Sequence, residues 1–158
     1  MKRIMLLILV LCAVAAAQPR CGLESIHGAY AVFYDGWAVL PGSPLPLVVP
    51  GVIMGVISID FGGKLSGAET VVVLGLVLEY EVLDGSVEIK ADCTGTARTR
   101  ARLKGSSQPP MEIVEKIIVL PEDKEIRTIV TQPTGPPDGS MALGVWKRMS
   151  AVPKSANW

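Results

Sequence analysis

Gly85 to Gly105 read GSVEIKADCTGTARTRARLKG, a stretch with charge at almost every second position. Even positions Glu88, Lys90, Asp92, Arg98, Arg100, Arg102 and Lys104 are charged, while odd positions Val87, Ile89, Ala91, Ala97, Ala101 and Leu103 are apolar or small, Thr99 excepted. A period of two belongs to a strand with one face buried. Between the halves lies Asp92-Cys93-Thr94-Gly95, where Asp can bond its own backbone and Gly accepts positive φ, the chemistry of a turn. The stretch therefore predicts β-sheet, with Arg98, Arg100, Arg102 and Lys104 in a row on its outer face. Two readings of that row stay open. It is either a solvated stripe, which also discourages strand-to-strand aggregation, or an interaction surface for an anionic ligand or partner.

Upstream, Lys2 and Arg3, the apolar run Ile4 to Val14 and the small residues Ala15-Ala16-Ala17 before Gln18 have the three-part layout of a secretory signal peptide. The expectation is a signal over residues 1–17 with cleavage near Ala17, export to the periplasm or the exterior, and a single domain over residues 18–158. The run is too short for a spanning helix, and no second stretch of membrane length follows, so no membrane span is expected after cleavage. Leu11 before Cys12 and Arg20 before Cys21 do not supply the small residue of a lipoprotein signal. Without Lys2 and Arg3, the 15 basic residues fall to 13 against 15 acidic ones, a formal charge of −2. That balance argues against nucleic-acid binding, which favours a strongly basic domain.

Cys12 leaves with the signal, so Cys21 and Cys93 remain. In an oxidising compartment they are most simply one disulfide, tying the N-terminus to the middle of the sheet. A thiolate nucleophile would want a basic partner and a zinc site four ligands. His27 is the only histidine, and neither constellation is easily completed.

Strand signals run through the rest of the chain. Gly28 to Val39, GAYAVFYDGWAV, is aromatic and β-branched, and it ends at the proline-rich stretch Pro41 to Pro50, where missing amide protons forbid a central strand. Val52 to Asp60 forms a second strand, turned by Gly62-Gly63 into Leu65 to Leu74, and Gly75 breaks that one before Leu76 to Val82. Asp84-Gly85 is a two-residue hairpin signal. Met111 to Leu120, MEIVEKIIVL, could place Glu112 and Lys116 as a helical pair, but its run of Ile, Val and Leu favours a strand. Ile126 to Thr131 alternates again, and Met141 to Met149 closes the pattern after QPTGPPDGS. Some eight strands with short connections and no convincing helix predict an all-β fold, a single antiparallel barrel of roughly eight strands or, alternatively, a β-sandwich.

The order of GAY at Gly28, GVISIDFGGKLSG at Gly55 to Gly67, DCTGTA at Asp92 to Ala97 and the late KEIRTIVTQP resembles small secreted bacterial proteins of the allene oxide cyclase barrel type, within the calycin-like β-barrels. The resemblance covers most of the exported chain. It implies an eight-stranded antiparallel barrel with a central cavity and, in that group, an early cysteine accompanying the DCTG cysteine, as Cys21 accompanies Cys93. It implies no reaction, and no catalytic residue carries over by position.

The residues themselves offer little chemistry. A Ser-His-Asp triad would have to recruit His27, beside the expected bridge, and no G-x-S-x-G elbow is present. Glu79 and Glu81 share a strand face, with Glu69 near them in sequence; such carboxylates perform acid/base work when one is desolvated, though this spacing is more often solvent-facing. No phosphate-cradling loop, EF-hand or zinc spacing occurs, so no cofactor or metal is expected. Tyr30 and Tyr34 lie on one strand face and Trp37 on the other; the tyrosines either line a ligand cavity or fill the barrel. Trp146 and Trp158 inform less. Three functions remain: a secreted, non-catalytic binding module for an apolar or amphipathic small molecule, a structural or self-assembling homo-oligomer, and an isomerase or cyclase acting on a lipid-like substrate in the same cavity.

Overall fold

Alternating strands joined by turns of two to a few residues leave a sheet with two bare edges unless it closes on itself. Here it closes. The computed structural model describes residues 21–39, 48–122, 124–133 and 142–150. A short helix α1 (Leu23–Ile26) precedes β1 (Gly28–Val39), β2 (Val48–Ile59), β3 (Leu65–Val73), β4 (Leu76–Ile89), β5 (Thr94–Leu103), β6 (Met111–Leu120), β7 (Glu125–Pro133) and β8 (Ala142–Arg148). Each strand pairs antiparallel with the next, and β8 pairs with β1, which completes an eight-stranded barrel. The expected signal segment, the chain from Leu40 to Leu47 and Trp158 lie outside the described residues.

The alternation in β5 is realised as read. Ala97, Thr99 and Ala101 are buried, and Arg98 and Arg100 are exposed. Thr99, the one polar residue on the inward face, is 9% exposed. Met111 to Leu120 is a strand over its whole length, so Glu112 and Lys116 form no helical pair and instead meet Arg98 and Thr96 of β5.

Four expectations are corrected. Asp84-Gly85 turns no hairpin; it lies inside the long strand β4, beside a shift of register between Val82 and Asp84. The pair fits a bulge equally well, since a Cβ on Gly85 would meet the Arg98 carbonyl oxygen and the Leu65 Cβ at 2.8 Å. The two-residue hairpin is Leu74-Gly75 instead, with φ of 49° and 78°, the left-handed pair such a turn requires. Pro50 belongs to β2, opposite Trp37 of β1. Pairing of β2 with β3 begins only at Gly51, so at Pro50 the strand is an edge on that side, a place where proline is tolerated. Ala91 is exposed in the turn after β4 rather than buried in a strand.

The disulfide between Cys21 and Cys93 is present, across a sequence separation of 72. It reaches the β4–β5 turn at one end of the barrel, not the middle of the sheet. Its role there is to hold α1 over that opening. Ile26 is fully buried in the core cluster with Cys21, Ile57, Ile59, Leu65, Val87, Ile117 and Val119, and Leu23 and Cys93 pack against it. Tyr30 Oη donates to the Ile26 carbonyl at 2.7 Å, and the Arg148 guanidinium donates to the carbonyls of His27 and Ser25. The Gly22 N–H donates to Ser25 Oγ at 3.3 Å, which caps the single helical turn, and Ser25 Oγ in turn donates to the Gly22 carbonyl at 2.7 Å. One end of the barrel is thereby sealed.

Candidate functional site

The inward positions of β1 are Tyr30, Val32 and Tyr34, at 2%, 3% and 3% exposure. The two tyrosines take different tasks. Tyr30 is committed to the α1 seal, with burial as the main cause of its raised pKa. Tyr34 sits further along the barrel, where Trp146 Nε1 donates to its hydroxyl at 2.7 Å and the hydroxyl faces Glu115 Oε1 and Oε2 at 3.0 and 3.1 Å. An indole N–H can only donate, so the Tyr34 oxygen accepts from Trp146 and its own proton goes to Glu115. Trp146, expected to be uninformative, is 1% exposed and fixes this relay. Trp37 faces outward, 54% exposed.

Glu115 is the residue the sequence reading missed. It is 3% exposed and shares the inward face of β6 with Ile117 and Val119. A carboxylate on the apolar face of a strand was the available signal; it was obscured because the same segment also admits a helical reading. Desolvation is the main cause that lifts its pKa from 4.5 to about 7; the neighbouring Thr128 hydroxyl acts against the rise, the Glu69 charge acts with it, and the Tyr34 hydrogen bond acts against it. Glu69, on β3, is likewise lifted to about 7 by desolvation. The carboxylate grouping suggested by sequence therefore splits. Glu69 turns into the barrel towards Glu115 and Tyr34, whereas Glu79 and Glu81 lie outside and bind Lys104 and Arg102 at 3.0 and 2.6 Å.

Two glycines make room for these interior groups. A Cβ on Gly144, the β8 residue opposite Tyr34, would stand 2.5 Å from both the Tyr34 ring and Thr128 Oγ1. One on Gly55, the β2 residue opposite Glu69, would stand 2.9 Å from Glu69 Cα and Cγ. Glycine inside a strand marks such close approach. Burial also keeps the Tyr34 phenol well above its usual pKa, with Glu115 and Glu69 adding to the effect, so it remains a neutral donor. Towards the end opposite α1, the cross-strand neighbours Ile53, Val71 and Leu78, together with Tyr80 and Ile113, are only half-buried. The described interior is thus polar at Glu69, Glu115, Thr128 and Tyr34 and apolar beyond them.

The outer basic row is matched by acids. Arg98 meets Glu112 at 3.8 Å, Arg100 meets Asp84 at 3.2 Å, and Arg102 and Lys104 meet Glu81 and Glu79. An open groove of about 270 Å³ beside the β4 bulge is lined by Arg98 and Arg100 but also by Asp84 and Glu112. These are exposed pairs worth little to stability, and they leave the wall near neutrality. His27, the triad candidate, stacks on Phe61 at 4.1 Å between ring centroids and bonds the Glu24 carbonyl through Nδ1. Among the described residues no group of three or more His, Cys, Asp or Glu is arranged to hold a metal ion. Comparison of the chain with protein-family models, curated proteins and solved structures returns no match.

Proposed function

We propose that the protein is an exported barrel that binds one small apolar or amphipathic molecule without transforming it. The observation that carries this reading is the pair of interior carboxyls, Glu69 and Glu115, with Tyr34, next to a half-buried apolar stretch of wall. Small-molecule sites are mostly apolar with a few convergent polar groups. A carboxyl buried like that of Glu115 lowers stability unless something bonds to it, so a barrel selected only for packing gains nothing by keeping it inside with the half-buried Glu69 turned towards it. The likeness of its turn motifs to allene oxide cyclase-type barrels belongs to the same proposal and supplies no catalytic residue.

A second reading, an isomerase or cyclase in the same interior, is favoured by carboxyls that exchange protons near neutrality. A third, self-assembly, is favoured by Phe33, Met54 and Leu143, exposed at 47%, 49% and 68% on the adjacent strands β1, β2 and β8. Native mass spectrometry of protein purified from its own cells separates the three. A single chain carrying a small-molecule adduct, lost on denaturation and unchanged chemically on incubation, is expected. Conversion of the adduct would replace binding by catalysis, an empty oligomer would replace it by assembly, and an empty single chain would overturn it.

A further inference from the structure

The interior groups are short of donors. Glu115 receives the Tyr34 hydroxyl, and that hydroxyl is itself fixed by Trp146. Glu69 has no hydrogen bond and no counter-ion among the described residues. The Thr128 hydroxyl, 5% exposed and on the inward face beside Glu115, has no partner at hydrogen-bonding geometry. Arg148, which lies on the inward side of β8 opposite Tyr30, is spent on the carbonyls of Ser25 and His27 at the sealed end. The cations of the β5 row are outside and paired.

Resting on the binding reading above, we propose that the occupant carries a primary ammonium head, received by Glu69, Glu115 and Thr128, with its apolar tail along Ile53 and Val71. An ammonium brings three N–H donors and a positive charge to a set of oxygens that faces no cation and, at Glu69, no donor. A carboxylate head would be repelled by the acid pair. An alcohol brings one donor and no charge, and so leaves most of the set unmatched. With only two carboxyls converging, an organic cation suits the site better than a metal ion, which draws on a larger ligand set.

Isothermal titration calorimetry of the disulfide-intact exported chain at pH 8, with octylammonium, octyltrimethylammonium, octanol and octanoate, tests this. Octylammonium is expected to bind at least tenfold tighter than octanol, and octyltrimethylammonium, which has no N–H, to lose most of that margin. Glu69→Gln should erase the preference for octylammonium over octanol, and an unchanged circular dichroism spectrum shows that the variant folds. Equal binding of all four probes, or tighter binding of octanoate, would sink the ammonium proposal and leave the binding barrel standing. Binding of none would sink both.

Discussion

Glu115 shows how one side chain couples the barrel to pH. In the folded chain it faces Glu69, Tyr34 and Thr128, and its pKa is lifted from 4.5 to about 7 by desolvation first. Between those values the folded protein keeps a proton that the unfolded chain has released. Stability is therefore full below about pH 4.5, falls as the pH rises towards 7, and levels off beyond it. The carboxyl contributes a loss of order 3 kcal/mol across that window, and Glu69, shifted the same way, adds to it. Glu115→Gln keeps the shape and an acceptor for Tyr34 but cannot ionise. Chemical denaturation at pH 5 and pH 8 should find the variant more stable than the parent at pH 8, with about half the parent's pH slope. A parent whose unfolding free energy rises from pH 5 to pH 8 would contradict the assignment. The face on which Glu115 lies could be read from sequence, since Ile113, Ile117 and Val119 have the same parity. Its pairing with Glu69 could not, because β3 and β6 are brought to face one another only by closure of the sheet.

At the scale of elements, periodicity was a dependable guide to strands and turn residues were a poor guide to where the strands stop. The β5 alternation and the β6 apolar run needed no tertiary information, because one face of each packs inward and the other does not. Asp-Gly fits both a hairpin and a bulge, and the choice in β4 depends on the Arg98 carbonyl and Leu65, which belong to other strands. Leu74-Gly75 was hidden for the opposite reason, since leucine does not advertise a positive φ. Helix α1 was invisible to pattern because a segment from Leu23 to Ile26 is too short for a helical period. It owes its existence to what it covers. Ile26→Ala, emptying a fully buried site in the plug, should cost about 2–5 kcal/mol. Hydrogen exchange should show faster opening at Tyr30 and at the β4–β5 turn than in the middle of β6. Uniform destabilisation, with no local loss of protection around the plug, would mean that α1 does not seal the end.

For the molecule as a whole, the barrel has one sealed end and one charged wall, and the seal depends on a covalent link. The ladder from Arg98–Glu112 to Lys104–Glu79 is solvent-exposed on both sides, so its pairs contribute at most about 1 kcal/mol each and weaken with salt. The Cys21–Cys93 bridge acts differently. It spans 72 residues of sequence, enclosing β1 to β4, and in the chain-entropy model a loop of that length lowers the entropy of the unfolded chain by an amount worth about 4 kcal/mol. Against a typical total of about 5–15 kcal/mol, that is a large share. The double variant Cys21→Ser/Cys93→Ser should keep its β-rich circular dichroism, because the strand ladder closes without the bridge, and should unfold at lower denaturant concentration with about 4 kcal/mol less stability. Because α1 is held by the bridge at one side and by Tyr30 and Arg148 at the other, the variant should also admit water at the sealed end, read as faster exchange at Ile26 and His27. A double variant as stable as a parent whose Cys21–Cys93 bridge is shown beforehand to be formed would mean that strand closure alone accounts for the fold's stability and that the link serves some other end.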